Sequence, residues 1–185
     1  LTTSFTEMEH QLTQTLNNLK SEVGERKMIG QALRESESLF RAIFEQAAVG
    51  VAQIETATGR FVRINQKYCD IVGYSRAEME ELNFQTITHP DDLKIDLANV
   101  ELLKAGEIRE FTTEKRYFRK SGETIWVSLT ASPMWAAGET PNYHIAIVQD
   151  ITTRKQAETE RQTLLEIMQG LVVTKDLHDF LGIIH

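Results

Sequence analysis

The residues with the most chemical potential in this chain of 185 amino acids are one cysteine and five histidines. Cys69 has no second cysteine for a disulfide within the chain, and no set of cysteines and histidines has the spacing of a zinc site. Asp91 and Asp92 are adjacent, so they point in different directions and suit a helix start better than paired acid–base chemistry. We therefore predict no metal site and no catalytic residue, with Cys69 as a small buried apolar residue in a cytoplasmic protein.

The composition is typical of a folded protein and does not indicate nucleic-acid binding. Hydrophobic residues make up 41% and charged residues 25% of the chain, which is enough apolar content for a real core. The net charge is −7 and the basic residues form no long block, so we expect no nucleic-acid partner. No apolar run reaches the length of a membrane helix, and the N-terminus lacks the order of a signal peptide. Because the chain begins in mid-pattern at Leu1, we expect it to be a piece of a longer protein.

The first 44 residues contain no proline and carry apolar residues at steps of three and four. This spacing predicts a coiled-coil seam with one stutter. Gly24 and Gly30 weaken the pattern, so either one long helix with a soft middle or two helices are expected. A single amphipathic helix packed on its own domain is the alternative. The seam consists of Phe5, Met8, Leu12, Leu16, Leu19 and Val23.

The pattern changes after residue 49 to short β-rich runs separated by turn residues. Asn65 is a good helix N-cap, Ser75 opens a capping box with Glu78, and Pro90 suits the first turn of a longer helix. The inward stripe of that helix is predicted to be Leu93, Leu97, Val100 and Leu103. Two strands, several short helices and three more strands indicate an α+β fold with an antiparallel sheet. The predicted strands are 49–54, 60–64, about 108–119, 124–134 and 142–150.

Seven short motifs in this order resemble PAS domains of the S-box type, over residues 36–152. The resemblance implies a five-stranded antiparallel sheet with short helices on one face, enclosing a small cavity. It also implies a sensing and relay role in a larger signalling protein. The motifs are SESLFR at 36–41, FVRIN at 61–65, GYS at 73–75, HPDD at 89–92, RKSG at 119–122, IWV at 125–127 and DIT at 150–152.

Both flanks resemble other signalling elements. Residues 1–35 are similar to the last helix of a HAMP relay, which carries motion from a membrane segment. Residues 153–185, with LLEI at 164–167 and KDL at 175–177, resemble an output helix followed by the start of a GAF domain. These resemblances imply the cytoplasmic part of a membrane-bound receptor, with a histidine kinase or diguanylate cyclase as its output and no enzyme activity in this fragment.

The same resemblance disfavours the two common PAS cofactors. Flavin photosensors of the family have a cysteine in the segment that corresponds to 83–89, and this segment has none. The positions that correspond to flavin-binding amides are Tyr117, Val127 and Val148, which would leave polar flavin atoms unpaired. Haem-binding members use a histidine from the long helix, whereas the segment 90–104 lacks one and His89 precedes it as a capping or turn residue. We predict no cofactor.

Strand alternation assigns residues to the two faces of the sheet. One face is predicted to line the cavity, where His144 is either a hydrogen-bonded core histidine or a contact for an unidentified small molecule. A closed cavity without a ligand is the alternative. The other face carries more apolar surface than a protein normally leaves exposed to solvent. It therefore predicts a homodimer whose flanking helices form parallel coiled coils. The cavity candidates are Tyr117, Val127, Leu129, His144 and Val148, and the outer-face and dimer candidates are Phe40, Phe118, Trp126, Tyr143, Ile145 and Ile147.

The DIT motif lies where the last strand meets the output helix and resembles the relay motif of the family. Asp150 is expected to pair with a basic side chain, and Thr152 to cap the new helix. We predict that a change in the cavity or the sheet shifts this junction and alters the packing of the output helices.

Two alternatives stay open. A ligand-free dimerisation and relay module differs from a sensor only in whether the cavity is occupied. A kinase fragment is the other alternative, because His178 and Asp179 resemble the phosphoacceptor pair of histidine kinases. Phe180 and Leu181 then replace the polar residue that normally follows, which disfavours His178 as a phosphoacceptor.

Overall fold

The computed structural model describes the backbone of residues 2–136 and 138–182, and the side chains of residues 14, 16, 19–136 and 138–169. The chain divides into two compact units, residues 1–46 and residues 47–185. In chain order the elements are α1 (Thr2–Gln46), β1 (Gly50–Glu55), β2 (Phe61–Ile64), α2 (Gln66–Val72), α3 (Arg76–Glu80), α4 (Phe84–Ile87), α5 (Pro90–Ala105), β3 (Phe111–Phe118), β4 (Thr124–Pro133), β5 (Tyr143–Asp150) and α6 (Thr152–Gly182).

The first unit is one uninterrupted helix, α1. Gly24 and Gly30 therefore weaken the helix without dividing it, because propensity alone rarely decides a long helix. The described part of the predicted seam, Leu16, Leu19 and Val23, is exposed within the chain. The side chains of Phe5, Met8 and Leu12 lie outside the described residues, and the coiled coil itself stays a prediction.

The second unit contains a five-stranded sheet in the order β2-β1-β5-β4-β3, with every neighbouring pair antiparallel. The α+β fold predicted from the sequence is confirmed. The sheet places its first and last long strands side by side, with Gly50 of β1 opposite Val148 of β5. β3 is shorter than predicted and begins at Phe111, because the residues before it form the turn after α5.

The inner face of the sheet forms the core of this unit. On β4 the buried residues alternate as Ile125, Val127, Leu129 and Ala131, while the residues between them are partly exposed. Two-residue periodicity of this kind is the geometric result of the pleat. The short helices complete the core with apolar side chains, of which Tyr68, Val72, Met79, Phe84 and Ile87 are almost fully buried.

Local capping explains where the short helices begin. Asn65 is fully buried, and its carboxamide oxygen accepts from the Tyr68 amide at 2.9 Å and the Val51 amide at 2.8 Å. One side chain therefore caps α2 and fixes that helix to β1. Ser75 and Glu78 form the predicted capping box at α3.

The long helix α5 differs from its prediction on the inward face. His89 caps it through Nδ1 and Pro90 occupies its first turn. Leu97, predicted to be inward, is 39% exposed, whereas Asp96 is 3% exposed. The inward stripe therefore contains a carboxylate where the hydropathy pattern predicted a leucine, because a cation from β3 meets it there.

Among the described residues, no helix has both the length and the apolar character needed to cross a bilayer.

Candidate functional site

The five predicted cavity residues all lie on the inner face of the sheet. Tyr117, Val127, Leu129, His144 and Val148 are each less than 5% exposed. Their burial follows from their position in the alternation of β3, β4 and β5. Ligand binding would also require sufficient space between these side chains.

The space enclosed by the sheet and α5 is very small. The cavity measures about 10 Å³, and Tyr117, Leu129 and His144 line it. Val127 and Val148 are outside this lining and pack within the apolar core. A cavity of this size is about that of one water molecule, well below the roughly 300 Å³ of small-molecule pockets. In this conformation the inner face is closed to larger ligands, and the prediction that no cofactor binds stays a prediction.

A buried ion pair lies beside this cavity. Lys115 of β3 donates a hydrogen bond to Asp96 Oδ2 of α5, and both side chains are 3% exposed. Burial lowers the pKa of Lys115, although the charge and hydrogen bond of Asp96 oppose this effect. The Lys115 ammonium also lies 5.1 Å from the centre of the Tyr117 ring. This pair was not predicted, although Lys115 lies two positions before Tyr117 and therefore on the same face of β3.

Two more polar groups are buried around the same space. His144 Nδ1 lies 3.1 Å from Thr56 Oγ1, and the Tyr68 hydroxyl donates to the Tyr117 hydroxyl at 3.3 Å. Burial lowers the pKa of His144 to about 4, with a further contribution from the positive charge of Lys115. His144 is therefore neutral at physiological pH and is a hydrogen-bonded core histidine in this structure.

The outer face of the sheet carries the predicted aromatic and aliphatic residues. Phe118, Trp126, Tyr143 and Ile145 are partly buried and Ile147 is 40% exposed. Phe40 belongs to α1, in the other unit, where its ring stacks on Phe44 at 5.9 Å.

Trp126, on this outer face, has two cations beside its ring. Its indole ring lies 5.7 Å from the Arg116 guanidinium carbon and 5.4 Å from the Lys155 ammonium. Cations at these distances are attracted to the indole face. Because Lys155 belongs to the first turns of α6, the ring connects the sheet to the last helix.

Asp150 joins the end of β5 to two neighbours. Its Oδ2 accepts from Arg119 at 2.8 Å, and its Oδ1 accepts from the backbone amide of Thr152 at 2.9 Å. Burial raises the pKa of Asp150, but the hydrogen bonds from Thr152 and Arg119 together bring it below its ordinary value. The predicted pairing of Asp150 with a basic side chain is therefore observed. Its carboxylate also satisfies the first amide of α6.

Thr152 has a different contact from the expected one. Its hydroxyl accepts from the Trp126 amide at 3.0 Å and donates to the Trp126 carbonyl at 3.4 Å. The Ile151 amide donates to the same carbonyl at 2.9 Å. The expectation that this hydroxyl caps α6 is wrong, because it bonds to the backbone of Trp126 in β4, and the Asp150 carboxylate accepts from the first amide of α6 instead.

Glu114 makes a second attachment between the sheet and α6. It accepts from Lys155 at 2.6 Å and also from Arg154. Hydrogen bonds from Lys155 and Arg154 lower the pKa of Glu114. This contact was not predicted, since Glu114 lies on the exposed face of β3, about forty positions before its partners. The two adjacent cations, which begin two positions after the DIT motif, are the sequence feature that could have indicated it.

The other chemical candidates contribute little to a site. In the part of the chain that the structure describes, no cluster of three or more His, Cys, Asp or Glu residues is arranged to bind a metal. Cys69 is a buried free thiol in α2, and His89 is a helix cap. The side chains of His178 and Asp179 lie outside the described residues.

The sheet order, the helices on its inner face and the DIT junction agree with a match to a known family. Residues 48–153, more than half of the chain, match the sequence model of the PAS domain. The chain belongs to the PAS domain family. The PAS domain of a protein from Haloarcula marismortui has a similar solved structure, with a TM-score of 0.57, 21% identity, and coverage of 68% of this chain and 99% of that one.

Two curated relatives of this PAS domain are signalling proteins. The probable diguanylate cyclase DgcE of Escherichia coli (strain K12) is 39% identical over 134 residues, which cover 72% of this chain and 12% of that protein. The sensor histidine kinase TmoS of Ectopseudomonas mendocina is 32% identical over 144 residues, which cover 76% of this chain and 14% of that protein. The chain thus spans about an eighth of these relatives, and its PAS sensory domain is related to those of diguanylate cyclases and sensor histidine kinases.

Proposed function

We propose that this chain is a relay module of a larger signalling protein, in which the PAS sheet controls the orientation of the output helix α6. The observation that carries the proposal is the position of Asp150, whose two carboxylate oxygens bond to Arg119 at the end of the β3–β4 hairpin and to the first amide of α6. A displacement of that hairpin changes the contacts that hold the start of the helix. Trp126, Thr152 and Glu114 support the same junction from the outer face.

The test compares Asp150→Ala with the wild type in two settings. In this chain, hydrogen exchange of the amides in residues 152–156 is expected to accelerate, because the carboxylate that holds Arg119 and the Thr152 amide is lost. In the full-length protein, basal output, stimulated output or both are expected to change. Glu81→Ala, at an exposed acidic residue directly after α3, is the control. Unchanged output in both states would remove the relay role from Asp150.

The closed cavity favours the ligand-free form of this relay over small-molecule reception. A cavity of about 10 Å³ admits no metabolite without movement of α5 or the sheet. Native mass spectrometry of the purified chain is expected to give the mass of the protein alone. A bound small molecule that survives desalting would instead support a sensor with an induced cavity.

The relay requires a second copy of the chain, and we propose a homodimer formed through the flanking helices. Exposed apolar residues on both helices support this proposal, including Leu33 and Ile43 of α1 and Leu164 and Met168 of α6. Light scattering coupled to size-exclusion chromatography is expected to give twice the mass of 21.1 kDa. A monomer at micromolar concentration would contradict a stable dimer of this chain.

The full-length context follows from the same proposal. A HAMP-like segment before residue 36 and a GAF-like domain after residue 153 would place the PAS domain between an input and an output. Catalysis then belongs to a kinase or cyclase domain elsewhere in the longer protein, and this fragment has none. The curated relatives, a probable diguanylate cyclase and a sensor histidine kinase, support both kinds of output.

A further inference from the structure

The cavity between the sheet and α5 combines a very small volume with several polar lining residues. Its volume of about 10 Å³ is close to that of a single water-sized probe. Four of its lining residues, Asp96, Lys115, Tyr117 and His144, carry polar side chains, and the others are apolar apart from their backbone. All four are at most 3% exposed. Their contacts with the protein therefore decide whether the space is polar or dry.

Each of the four residues has hydrogen-bonding capacity beyond its contacts with protein. Asp96 Oδ1 is buried and accepts from no protein donor, although Oδ2 accepts from Lys115. The Lys115 ammonium has three N–H groups, and one of them is engaged by Asp96. A buried carboxylate oxygen without a donor is costly, because it has lost its hydration without replacement.

Tyr117 and His144 each have one polar atom or proton that is not used in a hydrogen bond described above. The Tyr117 hydroxyl accepts from Tyr68, so its own proton is available to another acceptor. His144 uses Nδ1 with Thr56, which leaves Nε2. A buried water typically makes two to four hydrogen bonds, and this lining offers enough donors and acceptors for that number.

We propose that this cavity is a binding site for one ordered water molecule, which donates a hydrogen bond to Asp96 Oδ1 and accepts one from a neighbouring donor of the lining. The chemistry of the unsatisfied atom selects the occupant. A carboxylate oxygen requires a donor, which excludes an anion, and the adjacent Lys115 ammonium disfavours a cation. The volume excludes molecules larger than water. The site is independent of the relay proposed above.

Two measurements on the whole chain test this site. A crystal structure at about 1.8 Å or better is expected to show one spherical density peak within hydrogen-bond distance of Asp96 Oδ1. In solution, water-selective NMR is expected to give cross-peaks from water to the methyl protons of Ala131 and Ala146, which line the cavity. The Val72 methyls of α2, buried outside the lining, are the control and should give none.

A variant separates a bound water from exchangeable protein protons. Ala131→Val places two additional methyl groups at the cavity wall and is expected to remove both the density peak and the Ala146 cross-peak. If that variant does not fold, the wild-type density alone decides. Absence of density at Asp96 Oδ1, or density larger than one water, would overturn the hydration site. Neither result bears on the effect of Asp150→Ala on α6, so the two proposals fail separately.

Discussion

Lys115 of β3 and Asp96 of α5 form an ion pair in which each side chain is only 3% exposed. The pair joins the long helix to the sheet at the point where the inner cavity lies. Removing two charges from water costs several kcal/mol per ion, and the attraction between them roughly offsets that cost. We therefore expect the pair to specify how α5 packs on the sheet more than it adds net stability.

Breaking this pair from one side should be far more damaging than removing it entirely. Asp96→Asn leaves Lys115 buried without a counter-ion and is expected to lower the free energy of unfolding by about 3 to 5 kcal/mol. The double variant Asp96→Leu with Lys115→Met is expected to recover most of that loss, since two apolar groups replace two charges. Urea unfolding measures both effects.

The exposed pair Glu101 with Lys104 on the same helix is the matched control. Glu101→Gln is expected to change the free energy of unfolding by less than about 0.5 kcal/mol. A single variant of the buried pair that costs as little as Glu101→Gln would show that Lys115 reaches solvent.

His144 should make the fold sensitive to mildly acidic pH. Its pKa is about 4 in the folded chain and about 6.5 in an unfolded one, so the folded state favours the neutral ring. The stability that comes from this difference is fully present above pH 6.5 and is lost as the pH falls towards 4. The total is on the order of 3 kcal/mol.

The difference between wild type and His144→Gln isolates this effect from the titration of other groups. Glutamine keeps a hydrogen-bonding side chain beside Thr56 but does not titrate. The wild-type free energy of unfolding minus that of the variant is expected to fall by about 3 kcal/mol between pH 7 and pH 4. Parallel curves would contradict a neutral buried His144.

Glu114 should restrain the first turn of α6 through Lys155 and Arg154. Glu114→Gln removes the charge that both cations share, and amide exchange in residues 152–156 is expected to accelerate by about two- to fivefold at low salt. The difference should shrink at high salt, because these groups are exposed and screened. Glu110→Gln, an exposed acidic residue just before β3, is the control for a change in net charge. Equal effects of the two variants would exclude a specific role for Glu114.

The Asn65 carboxamide should contribute more to the free energy of unfolding than an ordinary helix cap does. Asn65→Ala leaves the amides of Val51 and Tyr68 without their acceptor inside the core, and we expect a loss of about 2 to 4 kcal/mol. Asn83→Ala removes the cap of α4, where the Thr86 amide is near solvent, and is expected to cost about 1 kcal/mol or less. Thermal or urea unfolding compares them, and similar losses would show that β1 and α2 are held together by other contacts.

Local patterns predicted most of the fold. The alternation along β4 and β5 assigned Val127, Leu129, His144 and Val148 to the buried face, and the capping residues Asn65 and Ser75 lie where helices begin. These features depend on neighbours within a few positions. The four-residue helix α4 has no periodic signal of its own, because one turn is too short to show a helical period, and only the family resemblance indicated it.

The polar contacts around the site depend on residues far apart in the chain. Hydropathy chose Leu97 as the inward residue of α5 because nothing near Asp96 reveals the cation that meets it, nineteen positions later. Glu114 is likewise separated from Lys155 by two strands. The alternation along β3 puts Lys115 on the same face as Tyr117. A buried lysine could therefore have been predicted from the sequence.

Gly50, the first residue of the sheet, pairs with Val148, which lies near the end of the last strand, so the two ends of the sheet are one strand spacing apart. A domain whose two ends lie side by side can be inserted into a chain, or removed from it, without lengthening the path between the segments on either side. The PAS fold of this chain therefore meets the geometric condition for insertion as a unit. A fold with this arrangement of its ends can be gained, lost or duplicated as a single compact block.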